Sequence, residues 1–130
     1  MVVVWVNGCF DVLHRGHFEL LEYAKSVGDY LVVGIDSDAK VRQDKGSCRP
    51  YNNEKDRKFA LECLQAVDKV VIFNSAEELN TLISAILPDI MVIGSDWRGK
   101  KVVGQAHTKE LKFFDRIGDY STTNILRGIK

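Results

Sequence analysis

Several things are scarce in this sequence, and each shortage removes a class of protein. It has three cysteines, Cys9, Cys48 and Cys63, in 130 residues. An odd number without a C-x-x-C pair indicates neither a disulfide framework nor a zinc ribbon. No apolar run approaches the roughly eighteen residues of a membrane-spanning helix. There is no excess of charge either: 18 Lys+Arg balance 18 Asp+Glu, for a formal net charge of +0. That balance argues against a general nucleic-acid or anionic-membrane binder, so basic residues must act locally. Repeats, low-complexity tracts and linkers are missing as well. The first apolar run begins at Val2, leaving no room for a targeting segment, so a reduced, cytoplasmic setting is expected. With 45% apolar and 28% charged residues, an ordinary globular protein remains. Its length suits one core, read as a single domain over residues 1–130.

What is present alternates between strands and helices. "VVVWV" (2–6), "DYLVVGID" (29–36), "DKVVIF" (68–73) and "DIMVIG" (89–94) are short runs rich in β-branched residues, as expected of strands covered on both faces. "ELKFFD" (110–115) is a fifth candidate. Between them, Phe18, Leu21 and Ala24 recur at helical spacing, with Gly28 as C-cap. Asn52 or Asn53 should N-cap a helix to about Ala66 whose inner stripe is Phe59, Ala60, Cys63, Leu64 and Val67. "SAEE" (75–78) is a capping-box pattern before a helix burying Leu79, Leu82, Ile83, Ile86 and Leu87 and stopping at Pro88. Residues 39–53 lack periodicity and read mainly as loop. A last helix has Ser121 as its N-cap. The pattern predicts a Rossmann-like, doubly wound, five-stranded parallel α/β sheet with helices on both faces. Ligands then belong at the carboxyl ends of the strands, where the strand order reverses.

The unusual residues fall at that edge. "NGCFDVLHRGH" (7–17) follows the first strand and holds two of the three histidines, His14 and His17. A metal site, a phosphate cradle, a cysteine nucleophile and a plain strand-to-helix turn all compete. Cys9, Asp11, His14 and His17 include zinc-type ligands, yet zinc needs no glycine between histidines. Phosphates do benefit: Gly16 lets an anion approach the backbone at a helix N-terminus, and two imidazoles add donors. Asp11 is a natural magnesium or substrate contact, and Cys9 is read as a small packing residue. Far along the chain, Ser121, Thr122 and Thr123 make a second hydroxyl-rich helix start. Lys45 is placed on a glycine-flanked segment, 42–53, expected to close over phosphates as a lid. Arg57 lies in the first turns beyond it.

"GCFDVLHRGH" resembles the G-x-F-D-x-x-H-x-G-H signature of the cytidylyltransferase-like nucleotidyltransferases, and "STT" with Ile125 resembles their I-S-T-T-x-I element. Order and spacing agree over nearly the whole chain. The resemblance implies transfer of a nucleotidyl group from a nucleoside triphosphate to a phosphorylated acceptor, with release of pyrophosphate. It makes His14, His17, Lys45 and Asp11 the catalytic set. Gly8, Phe10, Gly16, Arg57, Asp96, Arg116, Ser121, Thr122 and Thr123 would contact the nucleotide and its phosphates. Mg²⁺ would be held mainly by the nucleotide, with Asp11 as a further contact. A homodimer is an assembly the resemblance raises; nucleic acid and membrane are not expected partners.

Two subfamilies divide the details. "SDAKVRQDKGSCRPYNNEKDR" (37–57) is similar to a stretch of heptose 1-phosphate adenylyltransferases and makes Asp38 and Arg49 acceptor contacts. "GSDWRGK" (94–100) and Arg116 instead resemble glycerol-3-phosphate cytidylyltransferase. Gln65 departs from the latter, where an arginine is expected. The heptose likeness covers more residues, so ATP and a sugar phosphate are preferred, with CTP and a polyol phosphate as the alternative. A non-catalytic nucleotide sensor is the reading from another class, and the presence of Asp11, Lys45 and Arg57 counts against it.

Overall fold

The computed structural model describes residues 1–115. Along the chain run β1 (Val3–Gly8), α1 (Arg15–Ser26), β2 (Tyr30–Asp36), α2 (Asp38–Lys45), α3 (Glu54–Glu62), β3 (Lys69–Phe73), α4 (Ala76–Ile86), β4 (Ile90–Gly94) and β5 (Glu110–Phe114). The 3₁₀ turns Ser95–Trp97 and Gln105–His107 occupy the connection before β5. The expected last helix, with Arg116, Ser121, Thr122 and Thr123, lies outside the described residues.

The five strands form one parallel sheet in the order β3-β2-β1-β4-β5. The chain steps outward from β1 to β3 and then returns to β1's other side as β4, so the order reverses between β1 and β4. Alternation along the strands feeds two cores. Val4 and Val6 join Leu21 and Ala24 of α1 and Leu61 of α3 on one face. Trp5 joins Leu79 and Ile83 of α4 on the other. The continuous apolar runs follow from burial on both faces.

Three local expectations are corrected. Residues 38–45 are helical rather than loop. Ser37 caps this helix, its Oγ accepting from the Lys40 N–H at 3.2 Å, and Val41 is its one buried residue. A helix with a single inward residue leaves no apolar stripe to detect. Of the expected lid over 42–53, only residues 42–45 are therefore helical. Next, α3 is shorter than expected and turns Arg57 and Leu61 inward, which sends Phe59, 68% exposed, and Cys63 to solvent. Gly28, finally, does not cap α1; Val27 does. A Cβ on Gly28 would stand 2.4 Å from Val4 Cγ2, so its small size serves close packing. Phe18 of α1 and Leu87 after α4 are also exposed rather than buried.

Gly34 in central β2 illustrates the same constraint. A Cβ there would fall 2.5 Å from Cζ2 of the fully buried Trp5. Gly34→Ala should lower the unfolding free energy by about 1–3 kcal/mol, the usual cost of overpacking, as measured by urea denaturation. Wild-type stability would mean the indole has room to move.

Candidate active site

The loop leaving β1 builds the centre of the site. Gly8 ends the strand, and Phe10 follows in the left-handed region at φ 51°, with its side chain buried. That backbone costs about 1 kcal/mol for a residue with a Cβ, and it tucks the Phe10 ring beneath the loop. A Cβ on Gly8 would meet Phe10 Cε2 at 3.1 Å, so glycine suits this crossing. His14 is the N-cap of α1 rather than a residue within it, and His17 is the third helical position. The two imidazoles stack with centroids 3.8 Å apart and planes 26° apart, and Phe10 supports His17 at 5.2 Å. Gly16 sits between them in the first turn, where helix N–H groups are unsatisfied.

The protonation of His17 follows from its contacts. Its Nδ1 accepts from the His14 N–H at 3.2 Å, so the proton of a neutral ring resides on Nε2 and that nitrogen is a donor. Burial, then the neighbouring His14 and Lys45, pushes its pKa down to about 4. At neutral pH His17 is therefore an uncharged donor at the positive end of a helix. Lys45, the exposed last residue of α2, acts on Cys9, His17 and Asp36 through its charge, so the helix delivers it to the same edge. Burial pushes the Cys9 thiol up, which fits packing and not nucleophilic attack.

Arg57 and Asp11 take different roles from those expected. Arg57 is 1% exposed. Its Nη1 donates to the carbonyls of Cys9 (2.9 Å) and Asp36 (2.7 Å), its Nε to that of Asn52 (3.0 Å), and its Nη2 to Asp38 Oδ1 (2.8 Å). Four of the roughly five guanidinium N–H groups are thus spent inside the protein, and the expected phosphate grip is replaced by a structural tie. Asp38 shares this tie through Oδ1 and also lines a polar cleft with Arg49. Asp11 is 3% exposed, and its carboxylate accepts from the N–H groups of Tyr51 (2.7 Å) and Asn52 (2.8 Å) and from Arg49 Nε (3.2 Å). With three donors on two buried oxygens it is a latch for residues 49–52. Arg49 Nη2 has no hydrogen-bond partner among the described residues. Arg49 lines a polar cleft of about 270 Å³ with Arg42 and Tyr51. Among the described residues no group of three or more His, Cys, Asp or Glu is placed to hold a metal ion.

A larger cleft of about 440 Å³ crosses the strand ends from Trp97 and Asp96 after β4, past Gly8, to Asp36, Lys40 and Phe73. Asp96 and Trp97 are exposed at one side of it, Trp97 by 44%. Asp36 and Lys40, which line this cleft, and Asn52, which bonds Asp11, are not singled out by the sequence. A carboxylate closing a buried strand was the one available signal for Asp36; nothing in "RPYNN" marks Asn52.

Comparison with known proteins agrees with this geometry. The cytidylyltransferase-like family model matches residues 5–127. The bifunctional protein HldE of Campylobacter fetus subsp. fetus is 49% identical over 98% of this chain and 28% of that protein. HldE of Wolinella succinogenes is 46% identical over 98% of this chain and 27% of its own length. The chain therefore spans about a quarter of the length of the curated relatives it matches. Among solved structures, the lipopolysaccharide core biosynthesis protein of Thermoplasma volcanium superposes with a TM-score of 0.72 at 29% identity, covering 93% of this chain and 99% of that one. Pantoate-beta-alanine ligase of Francisella tularensis shares the fold, with a TM-score of 0.62 at 13% identity over 98% of this chain and 68% of that one. The chain belongs to the cytidylyltransferase-like family and is a nucleotidyltransferase domain.

The neutral His17 carries a stability signature. Its folded pKa, about 4, lies below the ordinary 6.5. Its contribution is thus fully present above pH 6.5 and is lost as pH falls toward 4, because the unfolded chain takes up the proton first. His17→Gln keeps an acceptor for the cap N–H but has no titration. The stability gap between wild type and His17→Gln should shift against the wild type by a kcal/mol or more between pH 7 and 4.5, since about 1.4 kcal/mol attaches to each pKa unit. A constant gap in paired denaturation curves would mean His17 titrates normally.

Proposed function

We propose that this chain transfers AMP from ATP to a sugar 1-phosphate, a heptose 1-phosphate first among candidates, with release of pyrophosphate. The observation that carries the reading is the stacked His14–His17 pair at the N-terminus of α1, in a chain related over 98% of its length to HldE proteins. The "SDAKVRQDKGSCRPYNN" stretch supports the heptose-type acceptor. The reaction is a displacement at phosphorus. An acceptor phosphate oxygen forms a bond to the α-phosphorus of ATP, the bond from that phosphorus to the β-bridging oxygen breaks, and pyrophosphate leaves with the electron pair. A phosphate monoester is largely dianionic at neutral pH, with a second pKa of about 6, so no general base is required. Charge grows on the leaving pyrophosphate, and preorganised donors meet it there: the His17 Nε2–H, His14 and the free N–H groups of the first turn of α1. Lys45 neutralises the same charge, and Gly16 admits the phosphates to the backbone.

Magnesium enters as part of the substrate. No acidic cluster competes for it among the described residues, and Mg²⁺ prefers phosphate oxygens and waters over an all-protein cage. Bound with the nucleotide, it would offset the charge of the triphosphate. Asp96 and Trp97 would face the nucleoside, and Arg116 with Ser121–Thr123, outside the described residues, would close the grip on the phosphates. None of the described helices is long and apolar enough to cross a membrane, and a cytoplasmic setting suits the use of ATP.

Pyrophosphate release, screened over four nucleoside triphosphates against sugar and polyol phosphates, tests the reading. ATP with a sugar 1-phosphate should give the highest kcat/KM; preference for CTP with glycerol 3-phosphate would overturn it. His14→Ala and His17→Ala should each cut turnover by about 10²-fold or more, the typical cost of one preorganised donor. Lys45→Ala should lower transfer sharply and leave the melting temperature of the ligand-free protein almost unchanged, since this exposed lysine meets its charge partner only when phosphates are present. Near-wild-type turnover in all three variants, with folding intact, would remove the cradle.

A further inference from the structure

The large cleft has a second polar end that the chemistry at the phosphates does not use. Asp36 closes β2, and Lys40 stands in the first turn of α2. Asp36 Oδ2 and Lys40 Nζ lie 3.9 Å apart, with side chains only 16% and 20% exposed. Lys40 Nζ also donates to Asp44 at 2.7 Å and rests 5.9 Å from the centroid of Phe73. Burial pushes the Asp36 carboxyl up. For Lys40, burial works against the charge, but the Asp44 hydrogen bond and the Asp36 carboxylate outweigh it and raise its pKa. The scaffold uses the backbone carbonyl of Asp36, which accepts from Arg57; the Asp36 carboxylate has no hydrogen-bond donor among the described residues. The carboxylate, paired with Lys40 at 3.9 Å, lines the cleft with Asn7 and Gly8.

We propose that Asp36 and Lys40 form the recognition subsite for the hydroxyl-bearing body of the acceptor sugar, across the phosphate cradle from the nucleoside. The proposal rests on the nucleotidyl-transfer reading above. The acceptor phosphate must approach the α-phosphorus opposite the leaving pyrophosphate, so the sugar body and the nucleoside need separate places at the strand ends. Toward β4 stands Trp97, a flat and exposed ring suited to a base. Toward β2 and β3 stands an acceptor–donor pair: the carboxylate accepts from sugar hydroxyls and the ammonium donates to them.

The test combines calorimetry and kinetics on the full chain, with hexose and heptose 1-phosphates as probes and Mg–ATP as donor. Asp36→Asn and Lys40→Met should each raise the Kd and KM for the sugar phosphate tenfold or more, while the Kd for Mg–ATP stays within twofold. Acceptors lacking the contacted hydroxyl should lose affinity for wild type but little further for Asp36→Asn. Melting curves and ATP binding report whether each variant is folded, and Asp36→Glu, which restores the carboxylate, replaces Asp36→Asn if that variant is not. Unchanged acceptor affinity in folded variants of an active enzyme would overturn the subsite alone. Equal losses for ATP and acceptor would overturn it too, pointing to a general change in the cleft. Sugar phosphate bound through Asp36 with no transfer from any nucleotide would sink the transferase reading and leave the subsite standing; no sugar phosphate bound at all would remove both.

Discussion

One buried cation holds the ligand-facing edge together. Arg57 rises from α3 and donates to carbonyls at the ends of β1 and β2, to the segment entering α3 and to the Asp38 carboxylate. Those carbonyls stand at or beyond the strand ends, and leaving a buried carbonyl without a partner costs about 1–3 kcal/mol. A single planar guanidinium satisfies three of them at once because its N–H groups diverge in a fixed fork. Asp11 makes the complementary latch, an acceptor for three donors from residues 49–52. Together they bind the loop after β1 to the connection between α2 and α3, from opposite directions.

The cradle depends on that frame. The position of His14 as N-cap follows from the loop that Arg57 holds at Cys9 and Asp11 holds at its own position. With the cap fixed, the His14 N–H sets the tautomer of His17, and burial keeps the ring neutral. A neutral His17 costs less to bury than an imidazolium lying 3.8 Å from another imidazole would. Cationic charge comes instead from Lys45, exposed at the end of α2, where water solvates it until phosphates arrive. Fixed dipoles in the frame and one exposed cation at its rim divide the electrostatic work.

Sequence and structure agree where a periodic signal existed. All five strands and their parallel arrangement follow from apolar runs separated by helical segments, and the histidine turn stands out by its residue types. The misreadings share one cause: a charged residue in a sequence shows its charge but not its burial. Arg57 and Asp11 carry the residue types of phosphate and metal contacts, and only the fold reveals their partners within the protein, backbone groups together with Asp38 and Arg49. α2 was invisible because Val41 is its one inward residue, and α3 was misphased because its inner face carries an arginine where a hydrophobic residue is expected. Asp36 passed unnoticed as the polar end of a strand.

The central claim, that Arg57 holds the site rather than the substrate, is tested most directly by urea denaturation of Arg57→Met with and without Mg–ATP. The account predicts a loss of about 3–5 kcal/mol in unfolding free energy without ligand, the cost of breaking a buried, hydrogen-bonded charge network. Wild-type stability without ligand, together with a stabilisation by Mg–ATP that is lost only in the variant, would contradict it and return Arg57 to the phosphates.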